Sequence, residues 1–218
     1  MRFYRDVVIR AVFFDFGGVI LSSPFDAFAS LEQRSGLPDG FIRMVNSTDP
    51  DTNAWARLER SQLNPAEFAR EFEAEVAALG REIDGDAVLA CLVGELRPRM
   101  VEAVRCCSER LTTALLTNNF LTAGDGSDSS AFVGPYSDVL AMFDVIVESS
   151  QLGVRKPDRA FYDVACERAG VEPHEAVFLD DLGVNLKPAR EMGMTTIKVV
   201  DPDVAIEELS AVVGFPLS

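Results

Sequence analysis

Residues 11–20 read Ala11-Val-Phe-Phe-Asp-Phe-Gly-Gly-Val-Ile20, "AVFFDFGGVI". The apolar run has the composition of a buried strand. It stops at one carboxylate, Asp15, and the chain then turns on Gly17 and Gly18. Two questions follow: why a buried strand delivers an acid at its tip, and why the position two residues later is a glycine. Working outward, strand-like apolar runs cover 7–14, 112–117, 144–148, 176–180 and 195–199. Helical patterns or loops lie between the last four, the order expected of a parallel sheet with crossover helices.

The helix expected over 158–169 carries Phe161, Val164 and Ala165 at helical spacing and stops at Gly170. A second helix stops at Gly193, and a last one runs from about Asp203 to just before Gly214. Residues 21 to about 100 interrupt this rhythm and read as mostly helical. There Asn64-Pro65-Ala66-Glu67 is a capping box with proline at the first helical position, and Phe68, Phe72 and Val76 follow on one face. The expected organisation is a core of residues 1–20 and 101–218 with a helical cap of residues 21–100 between the first two strands. The stretch "GDGSDSS" at 124–130 reads as a mobile loop.

The chain has 218 residues, enough for a sizeable core. Its 35 acidic against 20 basic residues give a net charge of −15, which opposes binding to nucleic acid or to anionic membranes. No apolar run approaches the roughly 20 residues of a membrane span, and the N-terminus has no secretory signal pattern. The expectation is a cytoplasmic protein. Cys91, Cys106, Cys107 and Cys166 show no CxxC spacing and are expected to be reduced thiols.

Three strand ends, or the loops directly after them, carry polar groups: Asp15, then Thr117-Asn118-Asn119, then Asp180-Asp181. In parallel sheets ligands bind at the carboxyl ends of the strands, so these groups converge in space. Lys156, in "GVRKPD" before a helix, is the fourth contributor. Taken singly, each has a bland reading as a turn former, helix cap or surface lysine. Together they suit phosphoryl transfer. Three carboxylates in one crevice need a cation, and an all-oxygen set with one lysine suits Mg²⁺ and a phosphate better than Zn²⁺.

The stretches "FFDFGGVI", "LLTNNF", "DVIVES", "RKPD" and "VFLDDLGVNLKPAREMGM" resemble the haloacid dehalogenase-like hydrolase superfamily over nearly the whole chain. Within it they are most similar to the phosphatase-like N-terminal domains of soluble epoxide hydrolase and of acyl-CoA dehydrogenase fusion proteins. The resemblance implies a Rossmann-like three-layer α/β core with an inserted helical cap. It also implies Asp15 as the nucleophile that forms an aspartyl-phosphate, Thr117 and Asn118 as holders of phosphoryl oxygens, and Lys156 as the neutralising cation. Mg²⁺ would be held by Asp15, the Gly17 carbonyl and the acidic pair, with Asp181 as direct ligand, Asp180 water-mediated or orienting Lys156, and Asn185 supporting from the next turn.

Gly17 departs from the family pattern, where a second Asp protonates the leaving group and activates water. Loss of a general acid-base group costs about 10²–10⁴-fold. Three outcomes are therefore open: a slow phosphatase, an enzyme limited to good leaving groups or helped by a cap residue, or a module that binds a phosphate or a partner without turnover. A metal-independent haloacid dehalogenase is a further alternative, opposed by Asp180-Asp181. The expected partner is a small phosphorylated substrate. His174 reads as a surface turn residue, Trp55, Arg57 and Arg60 as cap packing or substrate contacts, and Arg97 and Arg99 as hinge or substrate contacts.

Overall fold

The computed structural model describes residues 8–118 and 134–217. Five strands, β1 (Ala11–Phe14), β2 (Thr112–Thr117), β3 (Val145–Glu148), β4 (Ala176–Asp180) and β5 (Thr195–Lys198), form one parallel sheet in the order β3-β2-β1-β4-β5. β1 is central, and Phe14 is in register with Leu115 on one side and Leu179 on the other.

The apolar runs are continuous because both faces of the sheet are covered. Val12, Phe14, Leu115, Val177 and Leu179 point to one face, where α6 (Pro98–Ser108) and α9 (Pro202–Val213) bury Met100, Val104, Ile206 and Leu209 against them. Ala11, Phe13, Ala114, Leu116 and Phe178 point to the other, against Phe161, Tyr162 and Ala165 of α7 (Arg159–Ala169) and Leu186 and Ala189 of α8 (Gly183–Glu191). The alternation has the period of two that a pleated strand imposes.

Between the bridged residues Leu21 and Leu96 lie five α-helices: α1 (Pro24–Arg34), α2 (Phe41–Ser47), α3 (Ala54–Glu59), α4 (Pro65–Ala78) and α5 (Gly85–Ala90). Their buried side chains form a separate hydrophobic cluster from Phe28 to Leu92, whereas Leu21 and Met100 belong to the sheet. The capping box at α4 is formed, with both reciprocal bonds at 2.9 Å. The insertion leaves and returns through one narrow neck. Ser22 N–H donates to Glu95 O (2.8 Å) and Arg97 N–H to Ile20 O (2.9 Å) beside the Leu21–Leu96 bridge.

Some boundaries differ from expectation. The first strand starts at Ala11, because Val8–Arg10 lie at the sheet's N-terminal margin; Val7 and the 124–130 stretch lie outside the described residues. The last strand ends at Lys198, although Val199 N–H still bonds Asp180 O at 3.0 Å. The last helix starts at Pro202, since Asp201 Oδ1 caps it by accepting from Asp203 N–H at 2.8 Å. All four cysteines are free thiols, and burial pushes Cys107 up to about 12. Among the described residues no helix is long and apolar enough to cross a membrane.

Candidate active site

Backbone geometry places Asp15. Its N–H donates to Leu179 O at 2.9 Å, which carries the β1–β4 ladder one residue beyond β1, and its Oδ1 accepts from Phe16 N–H at 2.7 Å. The same oxygen lies 2.8 Å from Lys156 Nζ, and that ammonium lies 2.8 Å from Asp180 Oδ2. Lys156 is 1% exposed and Asp180 fully buried. Asp180 accepts further from Leu182 N–H (2.8 Å) and from Asn185 Nδ2 (3.1 Å to each oxygen). Asn185 is held in turn through its carbonyl, which accepts from Tyr162 OH at 2.7 Å. Asp180 therefore orients Lys156, and Asn185 braces Asp180.

Asp181 faces the turn after β1. A Cβ at Gly18 would sit 2.3 Å from Asp181 Oδ2, and Gly18 has φ +75°. The second glycine of "DFGGV" is thus required twice, for the left-handed backbone and for the close approach. Gly17 has φ −69° and ψ 133°, values open to any L residue. Arg97, at the neck, donates to Gly18 O at 2.7 Å and so ties the insertion's exit to this turn.

Carboxylate oxygens of Asp15, Asp180 and Asp181 lie within 4.8 Å of one another. Burial, reinforced by Asp180 and Asp181 against the opposing pull of Lys156, holds Asp15 well above the usual carboxylate range. Burial and then Asp180 push Asp181 up to about 6. For Lys156 burial acts downward, but Asp15 and Asp180 outweigh it and the ammonium is held up. Three carboxylates face one ammonium, so the cluster is short of positive charge. A hard divalent cation fits this all-oxygen set.

The second and third loops are interlocked: Asn118 Nδ2 donates to Lys156 O at 3.0 Å, and Lys156 N–H donates to Asn118 Oδ1 at 2.9 Å. Thr117 ends β2, buried and in register with Glu148 of β3. Above Asp15, Lys156 and Asp181 opens a cavity of about 520 Å³ roofed by the insertion, with Phe25, Phe28, Trp55 and Leu92 on its walls. The Arg43 guanidinium, over the Phe25 ring at 5.2 Å, also lines it.

A family model for haloacid dehalogenase-like hydrolases matches residues 9–193. The chain belongs to that family. It is 35% identical over 215 residues to acyl-CoA dehydrogenase family member 10 of Mus musculus, and 30% over 220 residues to bifunctional epoxide hydrolase 2 of the same species. Each match covers 95% of this chain but only 19% and 39% of the relatives. A sesquiterpene phosphatase of Aspergillus oryzae is 26% identical over 94% of this chain and 97% of its own. Among solved structures, a haloacid dehalogenase-family enzyme of Bacteroides thetaiotaomicron, in complex with magnesium and inorganic phosphate, superposes with TM-score 0.58 at 19% identity, covering 87% of this chain and 93% of that one.

The residues singled out in the sequence fall into three groups. Asp15, Lys156, Asp180 and Asn185 form one bonded cluster, Asp181 lies within 4.8 Å of the other two aspartates, and Asn118 joins through Lys156. Trp55 lines the cavity, whereas Arg57 pairs with Glu71, Arg60 bonds Asp51 O (2.7 Å), and Arg99 pairs with Asp203 at the surface. His174 sits exposed in a turn before β4, at the opposite end of the sheet. Sequence reasoning passed over Gly18, Glu59, Ser149 and Arg155. Gly18 was in plain view; the other three carry no local pattern, because their partners lie about 100 residues away.

Proposed function

We propose that the chain is a Mg²⁺-dependent phosphomonoester hydrolase whose substrates carry a largely apolar alcohol. The observation that carries this is the Asp15–Lys156–Asp180 cluster, with Asp181, at the floor of a cavity walled by Phe25, Phe28, Trp55 and Leu92. Among the described residues, both hydrogen-bonding partners of Asp15 engage Oδ1, so Oδ2 is the oxygen free to attack phosphorus. The bond formed is Asp15 Oδ2–P and the bond broken is P–O of the alcohol; water then cleaves the aspartyl-phosphate and returns Asp15. Lys156 faces the nucleophile and the phosphoryl oxygens, and Asp180 and Asn185 hold it there. Thr117 and Asn118 would take further phosphoryl oxygens. Asp15, the Gly17 carbonyl and Asp181 would hold Mg²⁺, which would offset phosphoryl charge as the transferred group passes between oxygens.

No carboxylate stands at Gly17, so a leaving group that needs its proton early departs slowly. The same glycine favours a second reading, a module that binds phosphate without turnover. The deciding experiment is phosphate release from a panel that pairs isoprenoid and aryl phosphates with polyol phosphates, with and without Mg²⁺. Mg²⁺-dependent release that favours the apolar members is expected. Preference for polyols would overturn the substrate class; binding of Mg²⁺ and inorganic phosphate with no release from any member would select the second reading.

A further inference from the structure

One ion pair joins the roof to the floor. Arg155 immediately precedes Lys156, and its guanidinium binds the Glu59 carboxylate at the end of α3 and the carbonyl of Pro50. Both side chains are nearly enclosed, at 14% and 13% exposed. Glu59 Oε1 also accepts from Trp55 Nε1 at 3.1 Å. The Glu59 carbonyl is claimed by Ser149 Oγ at 2.5 Å, which lies 3.1 Å from the Asn118 carbonyl. Asn118 in turn clamps the Lys156 backbone from both sides. Contacts therefore run unbroken from the roof, through Arg155, Ser149 and Asn118, to the ammonium that touches Asp15.

Alternatives for Glu59 are weaker. It lines the cavity, and burial holds it above the ordinary carboxylate value against the pull of Arg155. It does not stand in for the acid missing at Gly17, because Arg155 takes Oε2 and Trp55 takes Oε1, so neither oxygen is left to serve a leaving group. A buried pair that bridges two packing units instead favours one arrangement of them, because separating it leaves two poorly solvated charges.

We propose that Glu59 and Arg155 are positioning residues: they hold the roof closed over the cavity, and by the same contacts they set Lys156 against Asp15, so that closure and assembly of the phosphate site are one event. The inference rests on the phosphoryl-transfer reading only for the role of Lys156. Trp55 is the single tryptophan of the chain and bonds Glu59 directly, so its fluorescence reports the pair without any turnover.

The test uses the full chain and the variants Glu59→Gln, Arg155→Met and Arg155→Lys, with three readouts: acrylamide quenching of Trp55, affinity for inorganic phosphate at saturating Mg²⁺, and kcat and KM for an aryl phosphate. Glu59→Gln keeps the shape of the side chain and guards against a variant that fails to fold. In the wild type, Mg²⁺ and phosphate should lower quenching. In Glu59→Gln and Arg155→Met quenching should rise and phosphate affinity fall about tenfold, while kcat drops by about 10- to 100-fold, the scale of a misplaced catalytic group, with KM changed less. Arg155→Lys should recover part of each loss, since it keeps the charge but not the planar fork. The double variant Glu59→Gln/Arg155→Met should be no worse than the worse single one. A folded Glu59→Gln protein with wild-type quenching overturns the proposal, as does raised quenching with unchanged phosphate affinity. If the wild type releases no phosphate from any ester but the quenching and affinity changes appear, the positioning role stands and the hydrolase reading fails.

Discussion

Floor and roof of the cavity are built by different means. On the floor, each charged group is placed by another: Lys156 between Asp15 and Asp180 at 2.8 Å, and Asp180 braced by Asn185 and Leu182 N–H. The roof is held mainly by shape. Phe25, Phe28, Trp55 and Phe68 meet edge to face at centroid distances of 6.2, 5.9 and 5.6 Å, and Phe68 stacks on Phe72 at 5.3 Å. Burying a charge unpaired costs several kcal/mol, whereas aromatic and aliphatic side chains of similar volume exchange for less than about 1.5 kcal/mol. The floor is therefore intolerant of an unpaired charge, and the aromatic wall of the roof tolerates change that preserves volume. Such a division lets the floor be kept while the walls of the cavity diverge.

The sharpest way to break the comparison is at the nucleophile. Asp15→Asn should lower kcat by about 10⁴-fold or more, as loss of a covalent catalyst does, while thermal unfolding and the Trp55 spectrum stay near wild type. Residual turnover within tenfold of wild type would move the nucleophile elsewhere. Next in size is stability. Lys156→Met leaves Asp15 and Asp180 without their cation and should cost about 3–5 kcal/mol, read from urea unfolding in metal-free buffer. Phe28→Leu on the roof should cost less than about 1.5 kcal/mol. Equal losses would mean that the floor is no more constrained than the roof.

The same division explains what could be read from the sequence. The strands were legible because a sheet covered on both faces needs continuous apolar runs, and three of the five runs stop at or beside Asp15, Thr117 and Asp180. The convergence of the acidic pair with Lys156 was legible because ligand sites of parallel sheets gather at the carboxyl ends of the strands. The requirement at Gly18 was not, since it depends on the approach of Asp181, 163 positions along the chain and visible only once β1 and β4 are paired. Nor was the Glu59–Arg155 pair, whose members occupy ordinary positions for solvated charges. Roof specificity was illegible for a physical reason: Phe25, Phe28 and Trp55 serve at once as the insertion's core and as the cavity's wall, and packing alone accounts for their residue types.

Gly17 gives a gain rather than a loss. Its backbone accepts any L residue, so Gly17→Asp should fold, and a carboxylate there should speed hydrolysis of alkyl phosphates by up to about 10²-fold. Aryl phosphates, which leave without protonation, should change little. The ratio of kcat/KM for an alkyl and an aryl ester, measured for both proteins at saturating Mg²⁺, decides it. An unchanged ratio in a folded, metal-binding variant would show that protonation at this position is not what limits the reaction.

The smallest expected effect separates charge from shape through pH. Asp181 in the metal-free protein is raised from the ordinary 3.8 to about 6, by burial first and by Asp180 second, and Asp15 is shifted the same way. The folded protein therefore holds these protons more tightly than the unfolded chain does, and this contribution to stability is lost as pH rises from about 4 through 6. Mg²⁺ needs the ionised carboxylate, so it competes with the proton. Its apparent affinity should fall about fivefold from pH 6 to pH 5 through Asp181 and level off above pH 7, with the Mg²⁺-induced rise in Tm following the same curve. Calorimetric titration of Mg²⁺ at each pH, with Asp181→Asn alongside, gives the answer: the variant should bind weakly and with a flatter pH profile. Phe28→Leu should reproduce the wild-type profile, since neither side chain titrates. A wild-type Mg²⁺ affinity that is level from pH 5 to 8 would remove Asp181 from the metal site, and with it the claim that the floor is organised around charge.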